Sequence, residues 1–275
     1  MLKRKLAPLS RRGLLRLGAG AGSLLLAGCD DSISENPRLL DFVGKAEKLT
    51  YGAQRLILGR DALAPEYSES DIAAEFRANG STSPSDAAYR ALAKNNFADW
   101  RLEVGGLVGT PLKLSLADLR SLPASTQITR HDCVEGWSCI GKWTGAPLSE
   151  VLNRAGVLPR AKFVVFHCAD LLTDGDPDDF EPGQSDSTDS GGVAYYESID
   201  FVDAYHPQTL LAYGLNDQPL PVANGAPLRL RLGRQLGYKM AKYIMRIELV
   251  ASFAQIGGGK GGYWEDLGYE WYAGI

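Results

Sequence analysis

The stretch that decides the fold runs Thr129-Arg-His-Asp-Cys133-Val-Glu-Gly-Trp-Ser-Cys139. Residues 127–132 have the composition of a strand, which is predicted to carry Cys133 at its end. The residues that flank the cysteine are Arg130, His131 and Glu135. A thiolate persists only beside positive charge or a metal, and this soft ligand suits a soft metal. Cys133 is therefore a candidate metal ligand.

Outward from this stretch the chain mixes short helices and strands, without an internal repeat. Helices are predicted over residues 71–78, 86–93 and 147–155, with a further capped helix starting at Ser115. Strands are predicted over residues 100–108, 163–168, 210–215, 228–232 and 243–250. Residues 170–192 hold eight acidic and no basic residues and are predicted to be a loop. This order predicts an α+β domain whose functional groups lie on loops at strand ends.

Three motifs, in order, resemble one known family. Cys133-Val-Glu-Gly-Trp-Ser, followed by Trp143-Thr-Gly-Ala-Pro-Leu, resembles the cofactor-cysteine segment of the oxidoreductase molybdopterin-binding domain. Sulfite oxidases and the catalytic subunit of periplasmic methionine sulfoxide reductase share that domain. The other motifs are Asn224-Gly-Ala-Pro-Leu-Arg-Leu-Arg-Leu, after His206-Pro-Gln-Thr-Leu, and Gly237-Tyr-Lys-Met-Ala-Lys-Tyr-Ile. The resemblance implies a single sulfite oxidase-type domain with a mixed β-sheet.

The resemblance also implies one molybdenum–molybdopterin cofactor per chain and no haem. Cys133 would be the catalytic residue and the thiolate ligand of the metal. Ala98 and Asp99 differ in type from the reductase subunit, and Cys168 stands where that subunit has a threonine. The implied cofactor contacts are Asn95, Ala98, Asp99, Cys133, Cys168, Asn224, Arg229, Met240, Ala241 and Lys242. Arg229 and Lys242 are expected to bind the pterin phosphate.

The implied reaction moves an oxygen atom to or from a small, sulfur-containing substrate. Sulfite, a dianion, would need several cations near the metal, whereas a sulfoxide would need a less charged pocket. The candidate cations are Arg130, Lys142, Arg231 and Arg234. Asp132 stands where the reductase subunit has an arginine, so the direction of catalysis stays open. Arg229 and Arg231 are two apart on a predicted strand and are expected to share a face.

Several other interpretations of these residues stay open. Cys133 could form a disulfide with Cys139, or His131, Cys133, His167 and Cys168 could hold zinc, although the close paired spacing of zinc ligands is missing. Cys168 could be a small core residue. The whole chain could be a non-catalytic lipoprotein that keeps the fold as a binding or assembly module.

The N-terminus predicts export and anchoring. Ser10-Arg-Arg-Gly-Leu-Leu15 resembles a twin-arginine signal, and the apolar run of residues 14–27 is shorter than the roughly 18 residues of a membrane span. Leu26-Ala-Gly-Cys29 resembles a lipobox, so Cys29 is predicted to be acylated, and Asp30 favours the inner membrane. The alternative is a generic signal peptide. The predicted organisation is a signal over residues 1–28, a tether over 29–60 and the oxidoreductase domain over 61–275, located in the periplasm.

Charge and missing motifs limit the partners. The six basic residues before Cys29 have no acidic counterpart, and the rest of the chain holds 23 basic and 33 acidic residues. Such an acidic protein is a poor partner for nucleic acid, which is bound by neutralising phosphates. The sequence lacks a haem-binding Cys-x-x-Cys-His segment. A separate electron-transfer protein is therefore expected, either a membrane haem protein or a cytochrome c.

Overall fold

The computed structural model of the protein describes residues 49–57, 59–172 and 192–275. The chain divides into two compact units, residues 1–57 and residues 58–275. In the first unit residues 49–57 are helical, and the signal and acylation site predicted before residue 30 lie outside the described residues. Within the described ranges, no helix has both the length and the apolar character needed to cross a membrane.

The described part of the second unit is built from short strands and shorter helices. The strands are β1 (Leu102–Gly106), β2 (Leu112–Leu114), β3 (Ser125–Cys133), β4 (Trp137–Pro147), β5 (Phe163–Leu172), β6 (Val193–Asp200), β7 (Thr209–Leu215), β8 (Gln218–Pro219), β9 (Arg229–Leu232) and β10 (Ile244–Val250). The helices are α1 (Ala87–Lys94), α2 (Leu116–Ser121), α3 (Leu148–Ala155), α4 (Phe201–Ala204) and α5 (Tyr263–Asp266).

These strands form two sheets. The first has the order β2-β1-β10-β5-β6, in which β1 and β10 are parallel and the other pairs antiparallel. The second has the order β3-β4-β7-β8, and β9 also pairs with β7. Apolar side chains from both sheets and from α3, among them Val104, Phe166, Val151 and Leu211, share one buried core. The predicted α+β domain with a mixed sheet is confirmed.

Local sequence signals explain several element ends. Asp86 caps α1 by accepting a hydrogen bond from the backbone N of Tyr89 at 2.7 Å. Ser115 and Asp118 form a capping box at α2, as the sequence predicted. Gly156 ends α3 with a left-handed φ of 67°. The β7–β8 hairpin turns at Asn216 and Asp217, both with positive φ.

Two predictions of local structure were wrong. Residues 71–78 are not a helix; the chain makes one 3-10 turn at Glu69–Asp71 and then runs irregularly. The backbone of residues 71–78 is hydrogen-bonded to the second sheet instead, because Ala73 N donates to Ile140 O at 3.0 Å. The predicted loop over residues 170–192 begins too early, because β5 extends to Leu172, and residues 173–191 lie outside the described ranges. Strands β4 and β6 were not predicted.

Residues 59–81 form a segment that we call the strap, which leads into α1. Its start is held by buried polar side chains: Arg234 Nη1 donates to the carbonyls of Gly59 and Arg60 at 3.2 and 3.0 Å. The Gln208 amide group bonds both the N and the O of Ala64, at 2.8 and 3.1 Å. Further along, Tyr67 N donates to Ile128 O of β3 at 2.9 Å. The strap is thus fixed along the strand that ends at Cys133.

Candidate active site

Strand β3 presents two faces of different character. Gln127, Thr129 and His131 are buried, and the alternation of a strand places Cys133 on the same face. Arg130 and Asp132 lie on the opposite face, where they form an ion pair at 2.8 Å. The buried face is therefore polar rather than apolar, which requires polar partners behind it.

Those partners are two fully buried arginines on β9. The guanidinium carbons of Arg229 and Arg231 lie 4.9 and 4.4 Å from the ring centroid of Trp143 on β4. Neither side chain is accessible to solvent. The expectation that both arginines share one face of their strand is confirmed.

Arg231 has its hydrogen bonds met largely by the protein. Its Nη1 donates to His131 Nδ1 at 3.1 Å and to Met240 Sδ at 2.6 Å, and its Nη2 donates to Thr129 Oγ1 at 3.1 Å. Because a guanidinium only donates, His131 Nδ1 must accept, which leaves the imidazole proton on Nε2. A Cβ at Gly237 would lie 2.4 Å from that Nε2, so only glycine lets the turn approach His131 so closely.

Arg229 has few partners by comparison. Its Nη1 donates to the carbonyl of Asn224 at 3.0 Å, while its Nε and Nη2 are buried without a hydrogen-bond partner among the described residues. The same is true of Asn224 Nδ2, Trp143 Nε1 and Arg231 Nε. Buried donors of this kind cost free energy unless an acceptor meets them. The cluster therefore offers donors to a group with acceptor atoms.

The electrostatics of the cluster point the same way. Burial lowers the pKa of Arg229 to about 10, and burial together with the Arg229 charge lowers the pKa of Arg231. Burial, followed by the charges of Arg229, Arg231 and Lys242, lowers the pKa of His131, so its imidazole is neutral. Within the described ranges no carboxylate forms an ion pair with either guanidinium. An anion bound here would offset both the cost of burying the two positive charges and the repulsion between them.

Cys133 is a half-buried free thiol. Burial raises its pKa to about 11; a hydrogen bond from the backbone of Glu135 and the charge of Arg77 act in the opposite direction, whereas the Glu135 carboxylate raises the pKa further. The thiol is therefore protonated at neutral pH, and a metal must displace its proton to form the thiolate.

Lys242 and its neighbours form a second wall. Lys242 Nζ donates to the carbonyls of Asn79 at 2.6 Å, Ala223 at 3.2 Å and Ser81. Met240 and Ala241 are buried beside it, and Cys168 on β5 is buried close enough for the Lys242 charge to lower its pKa against the larger effect of burial. A small pocket of about 40 Å³ lies between this wall, the end of the strap and β6; its lining includes Gly80, Ser81, Tyr195, Tyr238, Met240 and Lys242.

Some predicted site residues lie elsewhere. Asn95, Ala98 and Asp99 are exposed in the loop after α1, where Asn95 Nδ2 donates to Asp99 Oδ2 at 2.6 Å. Phe97 of that loop packs against the buried side chains of Tyr89, Ala169 and Tyr243, as Val222 also does. Arg234 pairs with buried Asp203 at 2.6 Å and holds the strap. The structure thus brings Cys133, Cys168, Asn224, Arg229, Arg231, Met240, Ala241 and Lys242 together, and Asn95, Ala98, Asp99, Arg130 and Arg234 stay outside this group.

The alternative structural roles of the cysteines do not occur. Cys133, Cys139 and Cys168 are all free, and Cys133 is paired across the hairpin with Trp137 rather than with Cys139. Across the part of the chain that the structure describes, no three His, Cys, Asp or Glu side chains are grouped to hold a metal ion. The disulfide and the zinc site of His131, Cys133, His167 and Cys168 are therefore not formed.

This donor set fits a molybdopterin. Unpaired guanidinium, amide and indole N–H groups suit a ring system and a phosphate that are rich in acceptors. The half-buried thiol of Cys133 lies at the edge of the same cluster and suits a soft metal. A buried group that carries both anionic oxygens and a metal would satisfy these requirements together.

Two features of this region carried no sequence signal. Arg77 of the strap stacks on Trp137, and it lies before the three motifs that resemble the molybdopterin-binding family. Lys239 is fully buried and bonds both Glu197 and Glu265, which are also buried. The second group could have been suspected only from the lysine inside the apolar Gly237-to-Ile244 motif, since its two acidic partners are remote in sequence.

Comparison with known proteins adds a family match. The model of the oxidoreductase molybdopterin binding domain matches residues 90–255. A protein of Azospira oryzae, whose name describes it as a protein-methionine-sulfoxide reductase subunit YedZ1, is 35% identical over 268 residues, which are 96% of this chain and 88% of that protein.

Other similarities cover less of each chain. The protein-methionine-sulfoxide reductase catalytic subunit MsrP of Xanthomonas campestris is 38% identical over 187 residues. The match covers 68% of this chain and 52% of MsrP, about half its length. The sulfane dehydrogenase SoxCD of Paracoccus pantotrophus has a solved structure that aligns with 56% of this chain and 39% of its own, with 22% identity and a TM-score of 0.45.

Proposed function

This chain belongs to the oxidoreductase molybdopterin-binding domain family, and we propose that it is a molybdenum-cofactor enzyme that removes the oxygen atom from methionine sulfoxide in proteins. The names of its relatives suggest this substrate. The observation that supports it most is that the cations predicted to bind sulfite already have partners within the protein.

The four cations that the sequence offered for a dianion such as sulfite, Arg130, Lys142, Arg231 and Arg234, are already engaged within the protein. Arg130 pairs with Asp132 at 2.8 Å, and Arg234 pairs with Asp203 at 2.6 Å. Lys142 pairs with Glu69 at 2.8 Å and Asp217 at 3.0 Å. Arg231 is buried against His131. A dianion would have to break these pairs, whereas a neutral sulfoxide would not, and this favours sulfoxide reduction.

Residues of the buried cluster would hold the cofactor. Cys133 would give up its proton and bind the metal through Sγ. The unpaired Nε and Nη2 of Arg229, with Asn224 Nδ2, would donate to acceptor atoms of the pterin or its phosphate. Arg231 would keep His131 neutral and oriented beside Cys133. When bound, the cofactor supplies the two-electron redox change and the oxygen-atom transfer.

The reaction needs electrons and protons from outside. Reduction of a sulfoxide consumes two electrons and two protons, and the oxygen leaves as water. The electrons would come from a separate electron-transfer protein, for which a membrane haem protein and a cytochrome c are the candidates. Within the described residues the chain's own part is to bind, orient and shield the reacting groups.

The experiment that tests this function combines metal analysis with turnover. Protein matured in a host that makes molybdopterin should contain stoichiometric molybdenum and should oxidise a reduced viologen dye when methionine sulfoxide is added. Cys133→Ser should lose this activity, because a hydroxyl is a harder and more basic ligand than a thiol. Turnover of sulfite with ferricyanide, without turnover of sulfoxide, would reverse the direction that we propose. A Cys133→Ser variant with unchanged metal spectrum and activity would refute the site.

We also propose where the protein works. The twin-arginine and lipobox motifs support export to the periplasm and attachment to the inner membrane through acylated Cys29. A membrane-bound position would bring the enzyme close to a membrane haem protein. Both points depend on residues before position 30.

A further inference from the structure

Arg77 is a cation on the solvent side of the Cys133 hairpin. Its guanidinium carbon lies 4.9 Å from the ring centroid of Trp137, and Trp137 is the residue directly opposite Cys133 in the β3–β4 register. Its side chain is exposed, whereas Arg229 and Arg231 on the inner side are buried. Arg77 therefore stands where a substrate approaching the thiol from solvent would meet it.

The strap fixes Arg77 from both sides. The preceding residue, Phe76, is buried, with its ring edge-on to Trp143 at 4.9 Å and to His131 at 5.9 Å between centroids. Gly141 makes room for it, because a Cβ there would lie 2.8 Å from Phe76 Cδ2. Past Arg77, Gly80 N donates to Glu135 Oε1 at 3.4 Å. The guanidinium is thus presented by a segment that is packed on both sides.

Arg77 differs from the other cations around Cys133 in being available. Within the described residues it forms no ion pair with a carboxylate, whereas Arg130, Lys142 and Arg234 each do. Glu135, the carboxylate in the same turn, already accepts hydrogen bonds from Trp137 Nε1 at 2.8 Å and from Gly80 N. The planar donor fork of Arg77 can therefore be offered to a ligand.

We propose that Arg77 is the residue that binds the sulfoxide oxygen of the substrate, an inference that rests on the function proposed above. A sulfoxide oxygen carries partial negative charge, and an arginine, which is always protonated, can donate two hydrogen bonds that converge on it. The indole edge of Trp137 offers the apolar and sulfur atoms of a methionine side chain a favourable contact. Residues 59–81 precede the family match at residue 90, so this contact is a property of the strap.

The test compares Arg77→Ala and Arg77→Lys with Arg120→Ala in molybdenum-loaded protein. Arg120 is the matched control, because it is also exposed and stacks on an aromatic ring, that of Tyr213 at 5.6 Å, but on α2. For methionine sulfoxide reduction by a viologen dye, Arg77→Ala should raise KM about 10- to 100-fold, because it removes the charge-assisted hydrogen bonding to the substrate oxygen. Its kcat and molybdenum content should stay near those of the unmodified protein, and Arg77→Lys should recover part of the loss.

Four results would overturn this assignment. An unchanged KM in Arg77→Ala, with the unmodified protein active, refutes the role of Arg77 alone. Loss of molybdenum from Arg77→Ala would move the residue to the cofactor, and equal losses in Arg77→Ala and Arg120→Ala would reveal a general effect of unstacking. If the loaded, unmodified protein neither binds a methionine sulfoxide peptide in calorimetry nor reduces it, this proposal and the proposed function both fail.

Discussion

At the residue scale, Arg229 and Arg231 put one type of side chain to two uses. Both are fully buried against the ring of Trp143. The Nη1 and Nη2 groups of Arg231 donate to His131, Met240 and Thr129 and so order the protein around Cys133. Arg229 keeps Nε and Nη2 unpaired. A buried charge without partners weakens the fold, so Arg229 serves a ligand at the expense of the ligand-free protein.

Replacing Arg229 should therefore separate cofactor binding from stability. Arg229→Met keeps most of the volume but removes the donors, and we expect molybdenum content to fall sharply, as for a loss of about 2–5 kcal/mol of binding. The melting temperature of the cofactor-free variant should equal or exceed that of the unmodified cofactor-free protein, because the methionine relieves an unpaired buried charge. Elemental analysis and calorimetry measure both quantities.

Arg231→Met is the matched control for this prediction. It removes a guanidinium whose donors the protein already uses, so the cofactor-free protein itself should melt at a lower temperature. Full molybdenum occupancy in Arg229→Met would contradict the assignment of Arg229 to cofactor binding and of Arg231 to the stability of the protein.

At the scale of secondary-structure elements, the sequence predicted β3 but not β4 or the strap. Residues 127–132 have the composition of a strand, and so Cys133 was correctly expected at a strand end. In β4 the inward positions include Cys139, Gly141 and Gly145, which hide the apolar alternation that reveals a strand. Residues 71–78 of the strap have the composition of a helix, but hydrogen bonds from the strap to β3 and β4 override that local preference.

A buried ionic group ties three elements together. Lys239, in the turn before Met240, bonds both Glu197 on β6 and Glu265 on α5, and all three are almost completely buried. Two carboxylates face one ammonium group, so the cluster is electrically balanced only if one carboxyl keeps its proton. Burial, and then the repulsion of Glu265, raise the pKa of Glu197, which makes Glu197 the group that holds this proton.

This arrangement predicts a pH-dependent stability. A carboxyl whose pKa is raised on folding contributes stability that is complete below its usual pKa of about 4.3 and is lost as the pH rises through the folded value. The raised pKa of Lys239 leaves its own contribution constant below its usual value of about 10.4. Glu197→Gln imitates the protonated acid and cannot lose its contribution. The melting temperature of the unmodified protein should therefore fall relative to that of Glu197→Gln as the pH is raised from 5 to about 8; a constant difference would show that Glu197 is ionised throughout.

At the scale of the whole molecule, the sequence supports the prediction of the cofactor cluster and the prediction of export and anchoring to different degrees. The cofactor cluster followed from ordered motifs, because a cofactor restricts the residues that touch it. The position of Arg77 beside Trp137 could not be predicted from motifs, because it depends on how the strap folds onto Trp137. Residues 1–48 lie outside the described ranges, so export and anchoring remain predictions from motifs alone.

The anchoring prediction is open to direct measurement. If Cys29 is acylated, the mature protein should sediment with membranes and be released by detergent, and its first residue should be Cys29. Cys29→Ala should be soluble in the periplasm or remain unprocessed, because a single site carries the lipid. A mature N-terminus mapped by mass spectrometry to any other residue would contradict the prediction.

The position of the strap has a consequence for the order of assembly. Its last residues form one wall of the pocket beside Lys242, and the Tyr243 hydroxyl donates to Ser81 O at 2.9 Å. We expect a group as large as a pterin to be loaded before residues 79–81 dock against Lys242 and Tyr243. We expect the metal-free chain to be cut by protease within the strap and the loaded chain to resist. The rate of maturation would then depend on the supply of cofactor. A chain that never receives its cofactor would remain sensitive to proteolysis.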